Sequence, residues 1–450
     1  MSAEPPAPPP GPDPLAVARS RPYAMLLVLA AIIGVPISAL AYFFLALANE
    51  LQGWVYADLP DALGYATPPT WWPLPPLLVA GVLVGASIRY LPGRGGESPA
   101  DGFRAGRGPA PLGALPGIFL AAIAGIGLGA VVGPEAPLIA LGGGLSAAVV
   151  RMRRQEGPAQ IRTVLGATGS FAAVSALLGS PLVGAVLMME ASGIGGAMMG
   201  LVLVPGLLAS GVGFLIFIGL DDLTGLGTFT LALPGVDPLG TVQVSWLAWA
   251  VGIGIAAAVA VAIVRRLALL LRPHVERRVL LMVPVAGAVV AGLAILYSES
   301  TDKPASDVLF SGQTALGPLV AGAAGYSVGA LILLAACKAL AYSVSLSAFR
   351  GGPVFPAMFL GAVGGIALSH LPGLPLIAGV GIGVGAMLGA MLRLPIFAVL
   401  ITSVFLAGAG VNLLPPVIVA VVVAYAVSAR FVPADPPSPA QAGEEAVPMA

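Results

Sequence analysis

The amino-acid sequence predicts an all-α integral membrane protein with two inverted-repeat halves and broken, re-entrant helices. Three observations lead to this fold class. Of the 450 residues, 58% are apolar and only 9% are charged, a composition typical of a chain that lies in a lipid bilayer. Many apolar segments reach about 20 residues, the length that a spanning helix requires. Other apolar segments begin at glycine and proline, which is typical of the half-helices that surround transport sites.

Seven segments are apolar and long enough to cross the bilayer as helices. By residue number they are 24–48, 72–88, 112–132, 199–220, 242–264, 279–297 and 319–346. Two further segments, 135–150 and 355–371, cover only about 24 to 26 Å at the helical rise of 1.5 Å per residue. They fall short of a hydrocarbon core of roughly 30 Å. The sequence therefore predicts half-helices at these two places.

Proline content marks the two ends of the membrane region. Residues 1–22 and 432–450 are rich in proline and are expected to be disordered. Between them we predict a first membrane repeat at 23–220, an extracellular linker at 221–241 and a second membrane repeat at 242–431.

Proline-anchored segments recur in the same order in the two halves. The anchors are Pro137 and Pro181 in the first half, and Pro356 and Pro395 in the second. They stand 44 and 39 residues apart. Between them, a stretch of small residues that begins at Gly166 is similar to one that begins at Gly383. Repeats of this kind predict a substrate site near the midplane of the bilayer, between the halves.

Basic and acidic residues fall into different connections along the chain. Fifteen of the 20 basic residues form four clusters: Arg19 and Arg21; Arg89, Arg94, Arg104 and Arg107; Arg151, Arg153, Arg154 and Arg162; Arg265, Arg266, Arg272, Arg277 and Arg278. Acids dominate the other connections, around Asp58, Asp221 and Glu299. By the positive-inside rule the arginine clusters and the N-terminus face the cytoplasm. We expect a multi-pass protein of the inner or plasma membrane.

Glu135 is a lone carboxylate in an otherwise apolar segment. It stands in the turn Gly133-Pro134-Glu135-Ala136-Pro137. A charge at the centre of a bilayer costs roughly 2.5 to 3.5 kcal/mol on insertion scales, so an intramembrane acid predicts a site on an ion or substrate path. A carboxylate that caps the amides of a helix start is the structural alternative.

Three turns rich in glycine and proline precede apolar segments. They cover residues 95–102, 133–137 and 351–356. The start of a helix carries unpaired N–H donors and roughly half a positive charge. Starts of this kind bind anions without a fixed countercharge. The combination therefore predicts an anion path with Glu135 on it.

These turns are similar, in sequence and in order, to motifs of the CLC family of chloride channels and proton/chloride exchangers. The turn around Glu135 resembles the family's Gly-Lys/Arg-Glu-Gly-Pro, which carries its gating glutamate. Gly351-Gly352-Pro353-Val354-Phe355-Pro356 resembles Gly-Gly-x-Phe-x-Pro. Gly95-Gly96-Glu97-Ser98-Pro99 is similar in outline to Gly-Ser-Gly-Ile/Val-Pro. The resemblance covers roughly residues 24–431.

The resemblance implies a homodimer in the lipid bilayer with one pathway for chloride or a similar monovalent anion in each subunit. Glu135 would be the gate that competes with the anion. The anion-binding residues implied are Gly95, Gly96, Ser98, Pro99, Gly133, Ala136, Gly352, Val354 and Phe355. Glu190 precedes Ala191, the position that aligns with the internal proton acceptor of exchangers. It is therefore either a proton relay or a structural residue at a helix end.

Departures from the family motifs affect the expected mechanism. Gly96 stands where the family has an anion-coordinating serine, so that Ser98 would have to supply the hydroxyl. Pro353 has no N–H, which leaves Val354 and Phe355 as donors. No counterpart of the family's last helix, with its pore-lining tyrosine, follows residue 431. We expect channel-like or weakly proton-coupled transport, with a proton/chloride or fluoride exchanger as the alternative.

Other classes of function find little support in the sequence. The chain has two histidines and no His-Glu-x-x-His motif, which argues against an intramembrane enzyme. We predict no cofactor, no metal site and no nucleic-acid partner. A cation- or proton-linked solute transporter, with Glu135 as a cation ligand, is the alternative from another class. Lys338 either pairs with helix carbonyls or lines a vestibule.

Overall fold

The computed structural model describes residues 14–103, 108–152, 159–193, 197–226 and 231–431. Across these ranges the chain forms seventeen α-helices and no β-strand, which confirms the predicted all-α fold class. The helices are α1 (Pro14–Ala18), α2 (Arg21–Gly53), α3 (Leu59–Ala62), α4 (Leu74–Tyr90), α5 (Leu115–Gly127), α6 (Glu135–Met152), α7 (Ala159–Leu177), α8 (Pro181–Ser192), α9 (Ala197–Thr224), α10 (Val244–Arg277), α11 (Val279–Thr301), α12 (Leu316–Ala321), α13 (Val328–Ala348), α14 (Val354–Ser369), α15 (Leu376–Leu392), α16 (Pro395–Phe405) and α17 (Leu414–Phe431).

In the described part of the chain, six helical stretches are long and apolar enough to cross a membrane. They are Arg21–Ala62, Met199–Thr224, Val244–Arg277, Val279–Thr301, Val328–Ala348 and Val411–Phe431. The short helices include α5 to α8 and α14 to α16, and two of them, α6 and α14, begin at the second and third motif turns. The two predicted half-helices are confirmed as α6 and α14.

Three of the predicted spans differ from the helices that form there: the first is close to its predicted extent but short for a spanning helix, and the other two are wrong in extent. Segment 72–88 forms α4, whose 17 residues cover only about 26 Å. Segment 112–132 gives the short α5, because Gly129 with its φ of 112° turns the chain back. Segment 319–346 is split at Ser327, whose hydroxyl accepts a hydrogen bond from a backbone N–H and starts α13.

The N-terminal boundary also differs from the prediction. α1 and the first residues of α2 lie within residues 1–22, which the proline content assigned to disorder. Ser20 caps α2 by accepting a hydrogen bond from the Tyr23 N–H at 3.3 Å, and a cap of this kind favours a helix start despite nearby prolines. Residues 1–13 and the predicted tail 432–450 lie outside the described residues.

Helix α10 continues beyond the predicted apolar segment 242–264 as far as Arg277. Arg265, Arg266 and Arg272 therefore lie on a helix and not in a loop, and Arg265 is buried. A helix can carry such residues because long arginine stems pack on apolar neighbours. The ends of α4 and α10 bring several arginines together, at what we call the arginine-rich end: Arg89, Arg94, Arg272, Arg277 and Arg278.

The two halves repeat one helix crossing. Gly142 of α6 and Gly169 of α7 lie so close that a Cβ on either would overlap the carbonyl oxygen of the other. Gly361 of α14 and Gly383 of α15 make the same reciprocal contact. In each half the first glycine is the eighth residue of its helix, and the second lies 12 residues before the next helix begins. Small residues allow membrane helices to approach this closely. The packing therefore aligns Gly169 with Gly383, where the sequence suggested Gly166.

Candidate functional site

The turns before α6 and α14 meet in the interior of the molecule. The Gly133 N–H donates to the Gly352 carbonyl oxygen at 2.7 Å, and the Gly352 N–H donates to the Gly133 carbonyl oxygen at 2.6 Å. Both turns are buried. This pair of hydrogen bonds, the glycine bridge, joins the two halves and brings the first residue of α6, Glu135, to the start of α14.

The Glu135 carboxylate is fully buried. Its Oε1 accepts a hydrogen bond from the Phe355 N–H at 3.1 Å. The backbone N–H groups of Val354 and of Glu135 itself also interact with the carboxylate. The other oxygen, Oε2, is buried and has no hydrogen-bond partner among the described residues. A buried charge is stable only when its polar atoms are paired. The Glu135 carboxylate is paired at one oxygen and not at the other, so the structure holds this side chain only partly in place.

Two glycines leave the space that the carboxylate fills. A Cβ on Gly133 or on Gly352 would overlap the Glu135 oxygens. Between Gly352 and Val354 stands Pro353, whose carbonyl oxygen accepts a hydrogen bond from the Tyr342 hydroxyl at 2.9 Å. The Tyr342 side chain is fully buried, and its hydroxyl proton is used on the backbone.

The groups around the carboxylate are hydrogen-bond donors from the backbone. They belong to the start of α14, a helix of 16 residues, where the N–H groups are unpaired and the helix dipole is positive. Within the described ranges no lysine or arginine pairs with Glu135. A small anion would match these donors as well as the carboxylate does.

The first-motif residues lie beside a different cavity. Gly95 and Gly96 have φ values of 71° and 99°, which glycine adopts without strain. Gly96 and Ser98 line a cavity of 130 Å³ at the arginine-rich end. The Ser98 hydroxyl is buried and has no hydrogen-bond partner among the described residues. Pro99 begins the short helical turn that follows.

Glu190 lies near the end of α8 and caps α16. Its Oε1 accepts a hydrogen bond from the Ile396 N–H at 3.1 Å, and its Oε2 accepts one from the Phe397 N–H at 2.8 Å. A carboxylate at a helix start satisfies unpaired donors and interacts favourably with the dipole. Of the two roles that the sequence leaves open for this residue, the geometry corresponds to the structural one.

Lys338, in the middle of α13, is also fully buried. Its ammonium donates to four carbonyl oxygens, those of residues 307 to 310, at 2.9 to 3.4 Å. It also lies 4.1 Å from the centre of the Phe359 ring. The Asp307 carboxylate accepts hydrogen bonds from the hydroxyls of Tyr297 and Tyr326, and burial raises the pKa of Asp307. Lys338 thus pairs with carbonyls, one of its two predicted roles.

Arg350 is a candidate functional residue that the sequence reasoning missed. It directly precedes Gly351, is 8% exposed, and lines the same cavity as Ser98. A basic residue next to a motif for anions was the available signal. The motif match begins at Gly351, and Arg350 lies outside the four arginine clusters, so the sequence pattern alone does not single it out.

Comparisons with a family model and with known proteins agree on one family. The family model described as voltage gated chloride channel matches residues 77–429. YfeO of Escherichia coli (strain SMS-3-5 / SECEC), provisionally named for ion transport, is 30% identical over 369 residues, which cover 79% of this chain and 82% of YfeO. YfeO of Escherichia fergusonii shows the same identity and coverage.

Solved structures show the same fold at low sequence identity. A slow cyanobacterial Cl⁻/H⁺ antiporter superposes with a TM-score of 0.72 at 18% identity, and the match covers 90% of this chain and 94% of the antiporter. A CLC-type fluoride/proton antiporter superposes with a TM-score of 0.62 at 20% identity, over 91% of this chain and 96% of that protein.

Proposed function

The chain belongs to the voltage gated chloride channel family, and from this premise we propose that it transports a monovalent anion, chloride, along a path gated by Glu135. The observation that carries the proposal is the hydrogen bond from the Phe355 N–H to a fully buried carboxylate whose second oxygen has no partner. The carboxylate occupies the position that the donors offer to an anion.

The gate works by competition between the side chain and the anion. Protonation removes the charge of Glu135 and with it most of the attraction to the start of α14. An anion can then take the vacant donors. Because Oε2 is unpaired, the carboxylate gives up few interactions when it leaves. We therefore expect acid to favour the open pathway.

The chemistry of the neighbours favours an anion over a cation as the substrate. Around Glu135 the interacting groups are backbone N–H donors, whereas a hard cation would need several oxygen ligands. The alternative of a cation-linked transporter with Glu135 as ligand is therefore the weaker one.

The hydrogen bonds of Glu190 bear on whether transport is coupled to protons. Both carboxylate oxygens of Glu190 accept hydrogen bonds from the start of α16. To carry a proton, this carboxylate would have to give up its hydrogen bonds to the start of α16. We propose channel-like or weakly coupled transport. Proton/chloride exchange and fluoride exchange, the activities named for two structural neighbours, are the competing mechanisms.

Chloride flux from proteoliposomes, with the external pH recorded at the same time, tests the proposal. The wild-type protein should release chloride faster as the pH is lowered from about 7.5 to about 4.5, a range in which glutamate can titrate. Glu135→Gln should release chloride at a rate that no longer depends on pH. Glu50→Gln, which changes an exposed glutamate at the end of α2, is the matched control and should behave as the wild type does.

Two outcomes would contradict this proposal. Chloride release no faster than from empty vesicles, for both the wild type and Glu135→Gln, removes the assigned function. Proton movement against its gradient, driven by chloride, replaces weakly coupled transport with exchange.

Assembly and orientation complete the proposal. We propose a homodimer in the cell membrane, with one path in each subunit. We place the N-terminus and the arginine-rich end in the cytoplasm, since basic residues favour that side. Cross-linking in native membranes and accessibility of single introduced cysteines on a Cys337→Ser background test these two points.

A further inference from the structure

A groove lies at the arginine-rich end, where helix α4 ends and helix α11 begins. The two helices pack closely and antiparallel. A Cβ on Gly81 would overlap the backbone of Pro284, and a Cβ on Gly85 would lie 3.4 Å from the carbonyl oxygen of Val279. The last turn of α4, which ends at Tyr90, therefore lies beside the connection from α10 to α11. The groove between them has a volume of 580 Å³.

The apolar surfaces of both helices stop at this groove. Val82 of α4 and Val285 of α11 are exposed apolar side chains, as expected where helices face lipid tails, and α11 is long and apolar enough to cross a membrane. Tyr90 is 68% exposed, and tyrosine is enriched where a membrane meets water. The Arg89 Cζ lies 5.8 Å from the centre of the Tyr90 ring. The groove therefore lies at the depth of lipid headgroups.

The groove carries an excess of positive charge. In the described part of the chain, four exposed arginines and one acid line it. The arginines are Arg89, Arg94, Arg277 and Arg278. None of the four forms an ion pair with another described residue, whereas the acid, Glu276, accepts a hydrogen bond from the Arg272 Nε at 2.7 Å. The groove thus offers its positive charge to a ligand from outside the chain.

Apolar side chains line the same groove, among them Leu280 and Leu281, which are 46% and 55% exposed. A free inorganic ion would leave these side chains in water, whereas a lipid would cover them and place its phosphate among the arginines. A zwitterionic lipid fits less well. Among the described lining residues its ammonium group would find only the carboxylate of Glu276, which Arg272 already engages.

We propose that this groove binds the headgroup of an anionic phospholipid. The guanidinium groups donate to the non-bridging oxygens of the phosphodiester, which arginine can bind with two parallel N–H groups. The acyl chains lie along the exposed faces of α4 and α11. Basic pockets between helices at the membrane surface bind such headgroups. The site involves neither Glu135 nor the transported ion, so it goes beyond the proposed function and does not depend on it.

Native mass spectrometry of the full-length protein in detergent, titrated with phosphatidylglycerol or phosphatidylcholine, tests the site. The wild type should bind phosphatidylglycerol in preference to phosphatidylcholine. The double variant Arg277→Gln/Arg278→Gln should bind phosphatidylglycerol about 30-fold more weakly, a factor of about five for each arginine lost. The matched control is Arg266→Gln/Arg430→Gln, which removes two exposed arginines that do not line the groove. It should bind as the wild type does.

A second pair of substitutions, Arg89→Gln/Arg94→Gln, removes the other two arginines and should weaken binding to a similar extent, also if the first pair lowers the yield of folded protein. Three results would overturn the proposal. They are equal binding of the two lipids by the wild type, an equal loss of phosphatidylglycerol in the control variant, and displacement of phosphatidylglycerol by an equal concentration of inorganic phosphate. The last result would make the ligand a free phosphate and not a lipid.

Discussion

Two fully buried charges, Glu135 and Lys338, are treated in opposite ways by the fold. The Lys338 ammonium donates to four carbonyl oxygens and lies over an aromatic ring. Glu135 accepts from the Phe355 N–H, and its second oxygen has no partner among the described residues. Both side chains are 0% exposed, so burial alone does not distinguish them. The completeness of their pairing does.

This difference separates a structural charge from a movable one. A buried ion with full pairing loses several kcal/mol when a partner is removed, roughly 3 to 5 kcal/mol in measured cases. An ion with partial pairing sits closer in free energy to its displaced or neutral form. A second ligand or a proton can then shift the population between the two states. Lys338 thus fixes the loop at 307–310, and we propose that Glu135 is the movable charge that gates the path.

The largest effect should come from removing the structural charge. Lys338→Met leaves four carbonyl oxygens without their donor, and we expect the free energy of unfolding to fall by about 3 kcal/mol or more. Lys303→Met is the matched control, because this lysine is only half-buried and donates to one carbonyl oxygen. Thermal unfolding in detergent, followed by size-exclusion chromatography, measures both. Glu135→Gln should unfold no earlier than the wild type. Equal losses of unfolding free energy in Lys338→Met and Lys303→Met would contradict the structural role of Lys338.

A smaller effect should follow from filling the space beside the movable charge. A methyl group at Gly352 would overlap the Glu135 carboxylate, so Gly352→Ala should displace the side chain and flatten the pH dependence of chloride flux. The backbone of Gly352 is not in the left-handed region, so alanine is tolerated there. Gly364→Ala is the matched control: Gly364 lies in α14, which begins two residues after Gly352, and a Cβ there meets no atom within 4 Å. This control should keep the wild-type pH dependence of chloride flux. A wild-type pH dependence in Gly352→Ala would contradict the proposed competition between the Glu135 side chain and the anion.

The smallest effect should come from Glu190, a half-buried carboxylate. Glu190→Gln keeps one acceptor oxygen for the start of α16 but loses the charge and the second bond. We expect unfolding to become easier by about 1 kcal/mol, with flux and its pH dependence retained. The same proteoliposome and thermal measurements apply. If proton transport accompanied chloride flux in the wild type and were lost in Glu190→Gln alone, Glu190 would instead be a proton relay.

The fold class and the three turns could be predicted, because hydrophobic length and the punctuation by glycine and proline are local signals. The extent of spans 112–132 and 319–346 could not, since Gly129 acts through its backbone conformation and Ser327 through a side-chain cap, both within apolar sequence. The meeting of Gly133 with Gly352 depends on contacts far apart in sequence.

For the candidate site, the sequence narrowed the donors to two amides and singled out Glu135. It could not decide how Lys338 is used, because that depends on the path of the backbone at 307–310. Nor could it separate Arg350 from the other arginines. Its burial and its unpaired Nε follow only from the packing of the turn after α13.

The glycine bridge limits how the molecule can move. Its two hydrogen bonds join the two halves directly beside Glu135, where the halves would have to slide past each other if one moved against the other. A transport cycle in which one half rocks against the other would break these two hydrogen bonds on every turnover. A cycle that swings one side chain leaves them intact. The proposed gate therefore needs a nearly stationary frame, in which only the Glu135 carboxylate has to move.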